Sequence, residues 1–283
     1  MPPWLSRPLP PPGVSREVSR YLKGRGIETV CMNSRCPNMC ECYSTGNVSF
    51  LILGNVCTRK CAFCAVQKGA PEQVNALEAR SIADAVRKLG LRYVVVTSVT
   101  RDDLTDGGAN HYAEVVQAIK CAVPSVIVEV LTPDFNGSRY AVMSVIRSGA
   151  DVFSHNMETI ERLYPAIRPI ASYRRSLKIL AFAAGEAKIP VKSGFMVGLG
   201  EAEVEVLRLM TDIRKAGCDF LTIGQYLRPK GSLLEVAEYI RPNTFEMLKI
   251  KAFDLGFKNV ASGPYVRSSY RAGEMIIRQE ACV

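Results

Sequence analysis

Residues 54–69 read GNVCTRKCAFCAVQKG, and within them Cys57, Cys61 and Cys64 form a C-x3-C-x2-C pattern. Thiolates crowded this closely are soft ligands, suited to zinc or to iron–sulfur clusters. Three is one fewer than a structural zinc ion or an ordinary cluster takes from the protein. A fourth thiolate nearby would complete a zinc site. Alternatively, three thiolates hold a cubane [4Fe–4S] cluster whose fourth iron keeps an open position, as catalytic metals do. Zinc ribbons pair their cysteines in two knuckles, whereas here three share a single loop, which favours the cluster.

A second set lies upstream in CMNSRCPNMCEC (31–42), where Cys31, Cys36 and Cys42 are spaced C-x4-C-x5-C and Cys40 is an extra thiol. Six or seven thiolates exceed what one cluster needs, so two clusters are the more economical reading. Seven of the ten cysteines fall between Cys31 and Cys64. The N-terminal MPPWLSRPLPPPG has no apolar core of a secretory signal and reads as a proline-stiffened arm, so a reducing, cytoplasmic setting and metal binding are expected rather than disulfides. Cys121 and Cys218 read as small buried hydrophobes, and Cys282 stands in the terminal tail.

The elements that must position these thiols alternate along the chain. Strand-like runs are VSFLIL (48–53), YVVVTS (93–98), VIVEVL (126–131), DVFSHN (151–156), VKSGFMVG (191–198) and FLTIGQY (220–226). Between them lie helical segments at 81–90, with Ser81 as N-cap and Gly90 as stop, and at 138–148, 173–186 and 203–216. Tyr112, Val115, Val116 and Ile119 mark one buried helix face, and Val206, Leu209, Met210 and Ile213 another. Short, nearly continuous apolar strands alternating with helices predict an α/β fold with a parallel sheet. Six units, against eight in a closed barrel, predict a partial (β/α)6 barrel of TIM type. The expected division is an N-terminal extension (1–47), the barrel (48–226) and a C-terminal extension (227–283), together one compact unit. The cysteine loop directly follows the first strand, at the end where such folds place their chemistry.

The 283 residues are 48% hydrophobic and 22% charged, ordinary globular composition. The apolar stretches, such as 48–53, are too short to cross a bilayer. A net charge of +9 suits nucleic acid, an anionic cofactor or an acidic protein. The basic residues are dispersed and no nucleic-acid-binding signature is present, so neither nucleic acid nor membrane is expected as a partner. The three aspartates of TRDDLTDGG (100–108) invite a metal reading, but such a run is more often a turn with a cap at Asp106 or Asn110. His111 and His155 lack ligand spacing to any cysteine, and GLGE (198–201) reads as a strand-to-helix turn.

The C-x3-C-x2-C loop after the first strand, with Phe63 before the third cysteine, resembles the radical S-adenosylmethionine (SAM) superfamily. The resemblance implies that the open iron binds SAM, whose carbon–sulfur bond is then broken by an electron from the cluster. CPNMCECYSTGNVSFLILGNVCTRKCAFC, TSVTRDDLTDGGA, EVLTPDF, SHNMET, MVGLGE, GQYLRP and ASGPYVRSSY are similar to motifs of the lipoyl synthase family, a resemblance that covers nearly the whole chain, from Trp4 to about Ala272. That resemblance implies insertion of two sulfur atoms at C6 and C8 of a protein-bound octanoyl-lysine. It further implies an auxiliary [4Fe–4S] cluster that gives up its sulfide. Its ligands would be Cys31, Cys36, Cys42 and the second serine of RSSY, Ser269. Implied partners are an octanoylated lipoyl carrier domain, of the dehydrogenase E2 or glycine-cleavage H-protein kind, and an electron donor such as a flavodoxin or ferredoxin.

SAM brings a sulfonium, an amino-acid end and a ribose. Thr97 and Ser98, ending the second predicted strand, suit its amino group. Asn156 and Glu158 suit the ribose hydroxyls, and Arg168 or Lys192 the carboxylate. Against the family pattern, Cys40 replaces a non-ligand, SLLEV (232–236) replaces a His-x-Pro-Val-like stretch, and Ile170 and Ala171 stand where a glycine is common. The last two bear on the carrier-docking surface rather than on the clusters. Rival readings are another sulfur-inserting radical SAM enzyme, a methylthiotransferase, or a basic zinc protein that binds RNA.

Overall fold

The structure is a computed structural model that describes residues 2–6, 13–34, 36–229, 232 and 234–275. Cys282 lies outside the described residues. The chain divides into two compact units, one of residues 9–59 and 66–153, the other of residues 1–8, 60–65 and 154–283.

The first unit opens with three helices, α1 (Gly13–Lys23), α2 (Val30–Asn33) and α3 (Met39–Ser44). They lead into strand β1 (Asn47–Ile52). Two short strands, β2 (Val56–Cys57) and β3 (Gln67–Lys68), pair parallel beside it in sequence. Then follow α4 (Glu78–Lys88), β4 (Tyr93–Ser98), α5 (Ala109–Ala122), β5 (Ile127–Leu131), α6 (Arg139–Ile146) and β6 (Val152–Ser154), whose last residue belongs to the other unit. Strand β4 lies between β1 and β5, parallel to both, with Phe50 opposite Val96 and Val96 opposite Val130. All three of these residues are fully buried. Parallel neighbours require a crossover, and α4 and α5 supply it. Helix α5 buries Tyr112, Val115, Val116 and Ile119 completely, the face its spacing predicts.

The N-terminal helices have too few apolar residues for a core of their own. They bury Val18, Leu22 and Tyr43, with α3 packed against both α1 and β1. Backbone bonds hold this segment to β1: Leu51 N–H donates to the Glu28 carbonyl at 3.0 Å.

The second unit contains α7 (Tyr164–Ile167), α8 (Tyr173–Glu186), β7 (Val191–Val197), α9 (Glu203–Lys215), β8 (Phe220–Gln225), α10 (Pro242–Asp254) and β9 (Asn259–Gly263). Its parallel sheet runs β7-β8-β9, with Gly194 opposite Thr222 and Gly224 opposite Gly263. Helix α8 begins where the Ser172 hydroxyl accepts the Arg175 N–H, and α9 where the Glu205 carboxylate accepts the Ala202 N–H.

Three expectations need correction. Helix α4 starts at Glu78, not Ser81, because the Asn75 side chain accepts the Leu77 N–H at 2.9 Å and turns the chain earlier. Cys121 is exposed, not buried: it follows Ile119 by two residues and so falls on the far side of α5. Strand β9 was not expected at all. NVASG has one β-branched residue and only Val260 is buried, which leaves no strand signal in sequence. Cys218, in contrast, is fully buried as read. Among the described residues, no helix is long and apolar enough to cross a membrane.

Candidate active site

In the first unit, α2 carries Cys31, α3 carries Cys42 and Cys36 lies in the turn between them, near enough for the charges of Cys36 and Cys42 to act on Cys31. Thr29 caps α2 by accepting the Met32 N–H at 3.2 Å and bonds the buried Tyr43 hydroxyl at 2.8 Å. The chain then reverses, with Cys36 N–H donating to the Cys31 carbonyl at 2.9 Å. Burial, followed by the charges of Cys36 and Cys42, pushes the Cys31 thiol up to about 12. A buried thiol whose ionisation its neighbours disfavour is one that a cationic iron centre would relieve. Cys40 is half-buried and, two residues before Cys42 on α3, falls on a different face of that helix. No disulfide involves any of the nine described cysteines.

Cys57 ends β2. Its sulfur accepts the backbone N–H of Arg59 at 3.4 Å and of Thr100 at 3.3 Å, the kind of bonds that stabilise a cluster-bound thiolate. What fixes this loop base was not legible as such. The Arg59 guanidinium, 4% exposed, forks onto Asp102 at 2.7 and 2.8 Å and also reaches Asp134 at 2.7 Å and Asn136 at 2.9 Å. Thr58 Oγ1 donates to the Thr100 carbonyl and accepts the Asp102 N–H. TRDDLTDGG and TPDF thus act as a clamp on the arginine inside the cysteine loop. Asp103 pairs with Arg101, and Asp106 accepts the Gly108 and Asn110 N–H groups, so the run is a structural turn, but the N-cap of α5 is Gly108 rather than Asp106 or Asn110.

Replacing Arg59 by Met would remove the cation that the fully buried Asp134 and the partly buried Asp102 share. The expected loss is about 3–5 kcal/mol of unfolding free energy. Urea unfolding checks this, with Arg59→Lys falling between wild type and Arg59→Met because an ammonium cannot fork. Equal midpoints for all three would contradict the clamp.

The chain enters the loop through Leu53, whose φ of 66° is unusual for a branched residue. Glu78 accepts the Leu53 N–H at 2.9 Å and Arg101 donates to its carbonyl at 3.2 Å. Gly108 is required beside it, since a Cβ there would lie 2.3 Å from Leu53 Cδ1. His111 Nε2 meets the same Glu78 oxygen at 2.7 Å. Burial pulls the His111 pKa down, but the bonds and charges of Glu78 and Glu114 outweigh it, and the net shift is upward. Stability from this contact is therefore whole below about 6.5, the unfolded value, and is lost as pH rises through the higher folded value. The melting-temperature gap between wild type and His111→Asn should narrow between about pH 6 and 8. A widening gap would contradict the assignment.

Thr97 and Ser98 end β4. Thr97 Oγ1 donates to the Leu131 carbonyl at 2.8 Å, and Ser98 Oγ accepts from Tyr112 at 3.0 Å.

In the second unit, Cys64 N–H donates to the Cys61 carbonyl at 3.3 Å. Between them the loop tip is held on both sides. Ala62 N–H donates to the Ile167 carbonyl at 2.9 Å, and its carbonyl accepts Ser232 Oγ at 3.0 Å. Phe63 packs on Ile167, Leu199 and Tyr226, together with Leu234 and Val236. The SLLEV departure therefore buttresses the cysteine loop, with Leu233 outside the described residues. Ile170 is exposed.

Here too Asn156, Glu158, Arg168 and Lys192 gather. Glu158 has φ 66° and accepts from Asn156 Nδ2 at 3.1 Å. Burial raises its pKa against the pull of Arg168. Arg168 donates to the Asn156 and Met157 carbonyls, and its guanidinium lies over the Tyr164 ring. Lys192, 1% exposed, donates to the Ser268 carbonyl at 2.6 Å. A buried carboxylate beside an amide and an arginine suits a ligand bearing both hydroxyls and a carboxylate. His155 bonds Ser176 and His111 bonds glutamates, so neither is offered to a metal. Among the described residues, no three His, Cys, Asp or Glu groups stand close enough for a single ion.

The radical SAM superfamily model matches residues 51–213. Lipoyl synthase from Caldicellulosiruptor saccharolyticus is 51% identical over 274 residues, covering 96% of each chain. Lipoyl synthase from Rubrobacter xylanophilus is 50% identical over 96% of this chain and 85% of its own. The Thermus thermophilus protein is 45% identical over 98% of this chain and 86% of its own. This chain belongs to the lipoyl synthase family. It is thereby a radical SAM enzyme, of a family that works with SAM and two [4Fe–4S] clusters.

Solved structures agree on the fold class, an α/β fold with the parallel sheet of the radical SAM partial barrel. Methylornithine synthase matches with a TM-score of 0.57 at 14% identity, over 95% of this chain and 88% of its own. The FeFe-hydrogenase maturase HydG from Carboxydothermus hydrogenoformans matches with 0.58 at 12%, over 95% and 78%.

Proposed function

We propose that this chain inserts two sulfur atoms, at C6 and C8, into an octanoyl group amide-linked to a lysine of a lipoyl carrier domain. The observation that carries the reading is the pair of separate thiol triplets in a chain half identical to lipoyl synthases along almost its whole length. Cys57, Cys61 and Cys64 hold the cluster that meets SAM. Cys31, Cys36, Cys42 and Ser269 hold the second, with residues 1–47 and 227–283 serving it and 48–226 carrying the SAM chemistry.

When bound, the first cluster and SAM supply the radical that removes hydrogen from unactivated carbon, and the second cluster supplies sulfur. The chain's own task is placement, which contributes several kcal/mol toward a barrier. Arg59 and its carboxylates fix the base of the cysteine loop, while Phe63 and Ala62 fix its tip. Thr97 and Ser98 offer hydroxyl oxygens to the amino group of SAM. Glu158 and Asn156 accept and donate at the ribose, and Arg168 forks onto the carboxylate. Lys192, already bonded to the Ser268 carbonyl, is the weaker candidate for that last role. The basic surface suits an acidic carrier, so rising salt weakens its binding. The electron donor is a flavodoxin- or ferredoxin-type protein, and the setting is the cytoplasm.

The test is direct. Anaerobically reconstituted protein, SAM, a reductant and an octanoyl-lysine peptide should give, by mass spectrometry, a peptide carrying two added sulfurs. Cleaved SAM beside an unchanged peptide would reject this substrate.

A further inference from the structure

The RSSY stretch carries two serines that the structure treats differently. Asn156 Nδ2 donates to Ser268 Oγ at 2.6 Å, and that hydroxyl donates back to Asn156 Oδ1 at 2.9 Å. The Ser268 carbonyl accepts from the buried ammonium of Lys192 at 2.6 Å. Ser269 is half-buried, and its hydroxyl has no hydrogen-bond partner among the described residues.

A seat for this turn is cut into the sheet by two glycines. A Cβ on Gly194 of β7 would fall 2.2 Å from Thr222 Oγ1, 3.1 Å from Asn156 Oδ1 and 3.2 Å from Ser268 Oγ. A Cβ on Gly224 of β8 would fall 2.2 Å from the Val266 carbonyl oxygen, which is backbone and cannot swing aside. Gly194 pairs with Thr222, and Gly224 and Lys192 each lie two residues along from that pair, so all four face the same side of the sheet. Beyond the turn, Tyr265 donates to the Leu5 carbonyl at 2.6 Å.

We infer that Asn156 and Lys192 are positioning residues for Ser269. Together they hold the hydroxyl and the carbonyl of Ser268 and leave its neighbour's hydroxyl uncommitted. The inference rests on the reading that Ser269 is the fourth ligand of the second cluster. Serine oxygen is a poor match for the soft irons of such a cluster, so its hold depends on little freedom being lost when it binds. A turn already fixed at Ser268 meets that need, and it ties Asn156 and Lys192, two residues expected to hold SAM, to the ligand of the sulfur source.

The test uses protein in which Cys57→Ala, Cys61→Ala and Cys64→Ala leave only the second cluster. The rate at which a ferrous chelator takes the first iron is then read, without any turnover. Ser268→Ala and Lys192→Met should each speed that loss about ten-fold, as Ser269→Ala does. The Ser268→Ala/Ser269→Ala double variant should be no faster than Ser269→Ala alone, since both act through one ligand. Should Lys192→Met fail to fold, Asn156→Ala takes its place beside the small change at Ser268. Parental rates in the Ser268 and Asn156 or Lys192 variants, with Ser269→Ala fast, would overturn the positioning role alone. An additive double variant would do the same. A parental rate in Ser269→Ala would overturn the ligand assignment and the inference with it.

Discussion

Cys57→Ala should abolish SAM cleavage and product together while leaving the second cluster in place. Two terms act at once. The change removes one of three thiolates and strands the backbone N–H groups of Arg59 and Thr100 that its sulfur accepts. No side-chain acid or base can take hydrogen from an unactivated carbon, so nothing in the polypeptide substitutes for the lost centre. The expected fall is about a million-fold or more, to the uncatalysed background. Alanine is the informative replacement, because a serine could still ligate iron weakly. Anaerobic assay of SAM cleavage and iron content together checks it: iron should fall to about half, from roughly eight per chain. Retained SAM cleavage would remove Cys57 from the site.

The second large effect separates the two clusters. Cys36→Ala, or Ser269→Ala, should leave SAM cleavage within about two-fold while sulfur insertion drops below detection. Cys36 sits in the turn after α2 and is only half-buried, so its removal leaves little cavity and the fold should tolerate it. The loss is specific because only Cys31, Cys42 and the Ser269 oxygen remain, and a serine oxygen is too poor a match for iron to replace the lost thiolate. If Cys36→Ala protein still makes product, the sulfur does not come from a centre held by this triplet. Cys40 gives a useful contrast. It shares the sequence window but lies on a different face of α3 from Cys42, so Cys40→Ala should behave as wild type.

The periodic elements were legible because local chemistry and tertiary context agree. YVVVTS is a strand over the same residues in sequence and structure, and the helix expected at 173–186 is α8 over the same residues. Elements that rely on their neighbours were not legible. NVASG becomes β9 only by lying along β8, and Asn75, outside the apolar pattern, starts α4. The cysteines announced themselves by spacing, since thiolates close together in sequence have few other uses. The supports did not. Arg59 is an ordinary basic residue until Asp102, Asp134 and Asn136, distant in sequence, converge on it. Similarly, nothing in RSSY distinguishes the bonded serine from the uncommitted one; Asn156, over a hundred positions upstream, does. A strand glycine such as Gly224 was the one available hint, because a gap in an apolar strand signals close approach of another backbone.

Mössbauer spectroscopy of iron-57 in anaerobically reconstituted protein, taken before and after SAM is added, tests the central claim most directly. Two four-iron cubes should be resolved in equal amount, with one iron of a single cube changing its signal when SAM binds and the other cube unchanged. A single cube, or a zinc-bearing protein without iron, would contradict the account.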